Sequence, residues 1–269
     1  MTNSMLLLSG IGMVLVGIIV PLYWKRKTHV RLNYFLWGAG VWVIAIAVKI
    51  VMDYTITQPL RVSLEPYGLL SVLVVMGLYV GLRTGILESG FSYLAILKTK
   101  LKKMNYKEGV AFGIGFGSVE ALFLGITSFL NILVFVMFPD IISFLPEAFQ
   151  AVIVSQLNAS SWIIFGPIIE RIFVMFIHVF STLLVLYAVK NKRIGYFVLS
   201  ILFKTLVDGI IPWLVYSMGP ITELPNAYIV EIPFMILAII AYFGIKWIKP
   251  KFKTGLGEMA TEAIKKVHV

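Results

Sequence analysis

Six side chains able to do chemistry stand inside sequence that is otherwise almost wholly apolar: Glu88, Glu120, Arg171, His178, Lys204 and Asp208. A charge at the centre of a bilayer costs about 2.5–3.5 kcal/mol even on lenient insertion scales, so such residues face the protein interior, pair with one another or line water. A carboxylate in a low-dielectric cavity can serve as a general base toward water. An imidazole beside it can orient that water or stabilise an oxyanion. The chemistry these residues suggest is therefore hydrolysis by water activated on Glu120 or Glu88. His178 would be the partner, and Arg171, Lys204 and Asp208 the supporting charges.

Their spacing gives geometry to the idea. In "GVAFGIGFGSVEALFLG", residues 109–125, a small residue recurs every fourth position at Gly109, Gly113, Gly117, Ala121 and Gly125. Such a stripe lets another backbone approach closely. Glu120 follows Gly113 by seven residues, nearly the same angular position on a helix, so it faces the packed side. Arg171 and His178, also seven apart in "ERIFVMFIHVFSTLLV", share a face, and Thr182 follows one turn later. Lys204 and Asp208 are one turn apart in "FKTLVDG", and Glu88 lies in the inner half of "GLRTGILESGFSYL". We expect Glu120, His178 and Asp208 to converge on one interior site. We expect Lys204 to pair with Asp208, with Glu120 as a candidate across the bundle. Pro167 should leave a carbonyl unpaired just before Glu170 and Arg171, and Pro212 should remove the helical donor to the carbonyl of Asp208.

Four further charges fall within apolar runs: Lys49, Arg83, Glu170 and Glu231. Lys49 and Glu231 lie near run ends, where a long side chain can snorkel to the interface, and are set aside. A single intramembrane Glu or His is as often interhelical glue as a reactive group. Charges on four consecutive helices are more than an apolar scaffold needs, and a shared polar cavity accounts for them.

Known hydrolytic motifs are mostly absent. There is no H-E-x-x-H, and His178 is the one histidine at membrane depth. "GFGSVEA" places Ser118 after a glycine but does not fit G-x-S-x-G. An aspartate dyad would need a second intramembrane aspartate beside Asp208. The chain has no cysteine, which excludes disulfides, thiolate metal sites and cysteine nucleophiles. No cofactor motif is present, and a metal is left unassigned.

The elements that must position these residues are membrane helices. The chain of 269 residues is 59% hydrophobic and 13% charged, which excludes a soluble domain. Since about 20 apolar residues span a bilayer, seven runs qualify: 4–24, 32–52, 67–97, 108–137, 159–189, 195–216 and 227–248. The first run lacks a basic leader and an A-x-A-like site, and is read as a retained helix. Lys25, Arg26, Lys27 and Arg31 follow run one, and Lys98, Lys100, Lys102, Lys103 and Lys107 follow run three. Lys190, Lys192 and Arg193 follow run five, and Lys249, Lys251, Lys253, Lys265 and Lys266 follow run seven. The alternate loops hold only Arg61. This asymmetry predicts an all-α polytopic protein with its N-terminus outside and its C-terminus cytoplasmic. The net charge of +10 then reflects topology and anionic lipid at the cytoplasmic face, not nucleic acid. Residues 138–158 are apolar without Lys or Arg and read as an outer interfacial segment, with room for a short helix.

With these motifs assembled, the sequence resembles the YhfC family, grouped with the CAAX-protease and PrsW-like glutamic intramembrane proteases. "GILESGFSYL", "EGVAFGIGFGSVEALFLG", "ERIFVMFIHVFSTLLV" and "FKTLVDG" carry the resemblance, in motif order, over about residues 67–215. It implies a membrane-embedded peptidase-like core built by the third to sixth helices, within a single transmembrane domain 1–269 with a tail over 249–269. Glu88, Glu120, His178 and Asp208 match the family's polar positions. Three positions depart: the family's pattern implies a glutamate at Ser89, an arginine at Ser92 and a histidine at Lys204. The reading is an intramembrane protease-like protein of a prokaryotic cytoplasmic membrane that cleaves or binds membrane-embedded or lipid-proximal peptides, or a catalytically degenerate relative. The competing readings are a non-proteolytic scaffold that binds helices or a membrane-protein partner, and a transporter of a small solute or ion.

Overall fold

The computed structural model describes residues 3–218 and 223–252. The described residues form helices and turns without a strand, and seven helical spans are long and apolar enough to cross a membrane. Their principal helices are α1 (Leu7–Thr28), α2 (Leu32–Met52), α3 (Leu69–Lys98), α4 (Tyr106–Met137), α5 (Phe165–Asn191), α6 (Ile194–Gly209) and α7 (Ile232–Ile248). These follow the seven expected runs to within a few residues at most ends. Residues 138–158 hold a short 3-10 turn, Pro139–Phe144, and a helix, Glu147–Leu157. The expected tail lies outside the described residues from 253 onward.

Three departures from the expected elements have local causes. The second span does not stop at Met52. A π turn, Asp53–Thr57, carries it on through Gln58–Leu64 to Tyr67. Lys49 therefore sits mid-span rather than at an end. α5 begins only at Phe165, after a 3-10 turn at Ser161–Ile164. Pro167 thus falls in the first helical turn, where its missing N–H breaks no bond, and the expected defect before Glu170 is absent. α6 ends at Gly209 and a second helix, Ile211–Met218, follows at the Pro212 site, as the lost donor requires.

α4 and α5 form the centre. The small-residue stripe of α4 does what its spacing implies. A Cβ at Gly113 would lie 2.7 Å from Val179 Cα of α5, and one at Gly125 2.8 Å from Gly10 O of α1. On another face, a Cβ at Gly115 would stand 2.0 Å from Phe35 O of α2. A second stripe, Gly77, Gly81 and Gly85 on α3, seats α6 equally closely. A Cβ at Gly81 would meet Thr205 O at 2.4 Å. These contacts set which charged residues meet, because they fix helix spacing at backbone distance rather than side-chain distance.

The basic loops gather at one end of the bundle. Trp24 Nε1 donates to Lys107 O at 3.1 Å and Lys190 Nζ to Met104 O at 2.7 Å. Phe252, after α7, packs on Tyr106 and Tyr187 at this end. α4 starts here with a reciprocal cap: Asn105 Oδ1 accepts from Glu108 N, and Glu108 Oε2 accepts from Asn105 N. At the opposite end, Asn3 ties the start of α1 to Ala159 and Ser161.

Candidate functional site

A cavity of about 230 Å3 lies between α2, α3, α4, α5 and α6 and is lined by all six sequence-derived candidates: Glu88, Glu120, Arg171, His178, Lys204 and Asp208. Glu120, His178 and Asp208 converge as their spacing predicts. At 1.5 Å per residue, Glu120 lies roughly 21 Å along α4 from Tyr106, so the chamber is deep in the bundle.

The charges form one connected chain. Lys49 Nζ donates to Glu88 Oε1 at 2.7 Å, and Lys204 Nζ donates to Glu88 Oε2 at 2.5 Å. Lys204 Nζ also lies 3.2 Å from His178 Nδ1 and 4.1 Å from the centre of the Phe116 ring. His178 Nε2 lies 3.0 Å from Glu120 Oε2. Glu120 Oε1 accepts from Arg171 Nη1 at 2.6 Å, and Arg171 Nη2 donates to Glu170. Opposite charges alternate from Lys49 to Glu170, with the imidazole at the middle.

The proton on His178 follows from its neighbours. An ammonium has three donors and no acceptor, so Nδ1 accepts from Lys204. The ring's single hydrogen then sits on Nε2 and donates to Glu120 Oε2. That oxygen also accepts from Trp42 Nε1 at 2.9 Å. Glu120 therefore receives three donors, from Trp42, His178 and Arg171, and is held in its acceptor-only form. Among Glu88, Glu120 and Asp208, Asp208 is the least engaged, with Thr84 Oγ1 donating to Oδ2 at 2.5 Å.

Several sequence expectations are corrected here. Lys204 pairs with Glu88, not with Asp208 or Glu120. α6 meets α3 along Gly81 and Gly85, and that contact sets Glu88 opposite Lys204 while turning Asp208 toward Thr84. Lys49 does not snorkel; it is buried on Glu88. Glu231 lines a second cavity of about 340 Å3 that shares Glu170, Ile211 and Phe234 with the first. Its Oε2 is buried with no hydrogen-bond partner among the described residues. Arg83 pairs with Asp53 of the π turn, away from the chamber. Trp42 and Thr84 were not singled out, since neither an indole nor a threonine in an apolar helix stands out by type. Ser89 and Ser92 are buried at helix contacts, and Ser89 Oγ meets Ser200 Oγ at 2.9 Å.

A family model described as YhfC intramembrane metalloprotease matches residues 12–233. The chain belongs to the YhfC family. It is 28% identical over 265 residues to a Bacillus subtilis (strain 168) relative called "Uncharacterized membrane protein YhfC", covering 90% of this chain and 93% of that one. No solved structure matches it. With seven apolar spans, this YhfC member is a multi-pass membrane protein.

The family's description implies a metal ion, and the residues present do not fit one. Metal ligands must offer free lone pairs: neutral imidazole nitrogen or carboxylate oxygen. Both Glu88 oxygens accept from ammonium groups, and both His178 nitrogens are engaged. Among the described residues, no three of His, Asp and Glu come together in a way that could hold an ion. Three cationic side chains, Lys49, Arg171 and Lys204, share the cavity wall with the would-be ligands.

Proposed function

We propose that this YhfC-family protein is a protease-like membrane protein that receives a membrane-embedded peptide segment in its chamber and holds it without hydrolysing it. The observation that carries this reading is the hydrogen-bond complement of the Glu120–His178 pair. A general base needs a lone pair directed at the water it deprotonates. Both nitrogens of His178 are engaged by protein groups, and Glu120 shares its charge among three protein donors, Trp42, His178 and Arg171, which leaves it one lone pair and makes it a weak base. Glu88, between two ammonium groups, is no freer.

The peptide preference is supported by the family's description and by the wall. Trp42, Phe123, Leu124, Val207 and Ile211 surround the charged floor, and Phe123, Leu124 and Ile211 are exposed at its rim. A polar floor under an apolar rim suits a segment that carries backbone amides through lipid. Arg171, together with Glu120 through the lone pair left on Oε1 and Asp208 through its free oxygen, would bind the peptide backbone. His178, Glu88, Lys49 and Lys204 would hold those groups in place. In this reading the core spans about 67–215, extended by α2, which supplies Lys49 and Trp42. The basic end faces the cytoplasm of a bacterial cytoplasmic membrane, in contact with anionic lipid. A transport path would need charges left free for a solute, and here most are engaged with each other.

The test uses the full chain in liposomes with synthetic transmembrane peptides carrying a photo-crosslinker. Crosslinks to the α2 and α5 walls, with the peptide intact, are expected. Peptide cleavage that disappears in Glu120→Gln and His178→Ala, or no crosslinking at all, overturns the reading. Orientation is checked separately with cysteines placed at positions 2 and 104. Labelling from opposite sides of the membrane is expected, and labelling from one side refutes the assignment.

A further inference from the structure

We propose that the Lys204 ammonium is a tethered substitute for a divalent metal ion, seated where the ion would lie, and that the chain is metal-independent for this reason. A carboxylate oxygen and an imidazole nitrogen from different helices converge on one point, the donor pair that a divalent cation would take. The point is occupied by Lys204 Nζ, 2.5 Å from Glu88 Oε2 and 3.2 Å from His178 Nδ1. Metal–ligand bonds to such donors are about 2.0–2.2 Å. To hold an ion at the same place, the carboxylate oxygen would move inward by about 0.3–0.5 Å and the imidazole nitrogen by about 1.1–1.2 Å.

The charge balance points the same way. Lys49 sits on the other oxygen of Glu88 at 2.7 Å. Two ammonium groups thus surround one carboxylate with the total charge of a divalent ion. The Phe116 ring closes one side of the seat. Asp208, one turn beyond Lys204 and bound only to Thr84 among the described residues, also lines the cavity.

The prediction is a gain of binding. Lys204→His replaces the ammonium with a lone-pair donor on the same helix. The introduced imidazole, His178 and Glu88 would then form a three-donor set, and Lys204→Ala would leave the same space to a hydrated ion. The full chain in detergent is stripped with a chelator, exposed to Co2+ and desalted. Retained cobalt is measured by mass spectrometry and by its visible absorption. Wild type is expected to retain no cobalt at this site. At least one variant is expected to retain about one equivalent, lost again when His178→Ala or Glu88→Gln is added. Retention of one equivalent by wild type, abolished by His178→Ala, overturns the proposal. So does the absence of cobalt from both Lys204 variants. The inference rests on the seat of Lys204 and not on peptide capture, so a failed cobalt experiment and a failed crosslinking experiment are distinguishable.

Discussion

Two charged triads face each other across His178, and they are built in opposite senses. On the α2–α3–α6 side a carboxylate, Glu88, lies between two ammonium groups. On the α4–α5 side a guanidinium, Arg171, lies between two carboxylates. One triad carries a net positive charge and the other a net negative charge, and the imidazole bridges them. They differ in burial as well. Glu88 is 3% exposed in its side chain, against 15% for Glu120 and 23% for Glu170. The comparison separates two jobs. Both triads line the cavity, but the lysine-rich one is the more sealed at its carboxylate; in the proposed reading it holds the structure while the arginine triad meets the ligand.

The largest expected effect comes from removing the centre of the sealed triad. Glu88→Gln strands two buried ammonium groups, and leaving buried charges unpaired costs about 3–5 kcal/mol. It should lower thermal stability in detergent more than Glu120→Gln, because Arg171 then keeps Glu170. A greater loss for Glu120→Gln would reverse the assignment of roles. A double-mutant cycle sharpens the same point. Lys204→Met with Glu88→Gln should cost less than the sum of the single changes, by about 0.5–3 kcal/mol. Lys204→Met with Glu120→Gln should be closer to additive, since Lys204 and Glu120 are joined only through His178.

A smaller effect is expected for Arg171→Lys. A lysine reaches one carboxylate as a point charge and cannot hold two with a planar fork. The loss should be about 1.5–3 kcal/mol, the scale of one charge-assisted hydrogen bond. Peptide crosslinking should fall while the fold persists. The smallest is Asp208→Asn, which keeps an acceptor for Thr84 and should shift stability by about 1 kcal/mol or less.

The seven helices were legible because apolar length is a strong signal. So was the inward face of Glu120, because the glycine stripe of α4 repeats at one-turn spacing. Gly77, Gly81 and Gly85 repeat identically on α3, yet they carry no charge of their own and were passed over. Their consequence was the misplaced partner of Lys204. Sequence spacing favours the neighbour one turn away, but helix packing decided for Glu88 on another helix. Lys49 was set aside as a snorkelling end residue because hydropathy fades after Met52, where the polar residues of the π turn begin, although the helical span continues to Tyr67. Trp42 carried no signal at all, since an indole is at home in a membrane helix whether or not its N–H has work to do.

The partition of partners among helices bears on how the nascent chain enters the bilayer. Synthesis delivers the spans in order, N-terminal first. Lys49 and Glu88 lie on neighbouring spans, so the second charge arrives with the next helix to insert. Glu120 on α4 is answered by Arg171 on α5, again the next helix, and Glu170 arrives beside its own cation. Neither hairpin has to hold a lone charge in lipid while distant sequence is made. The two charges of α6, Lys204 and Asp208, depend instead on partners three helices upstream, Glu88 and Thr84, and by the time α6 emerges both are already embedded and waiting.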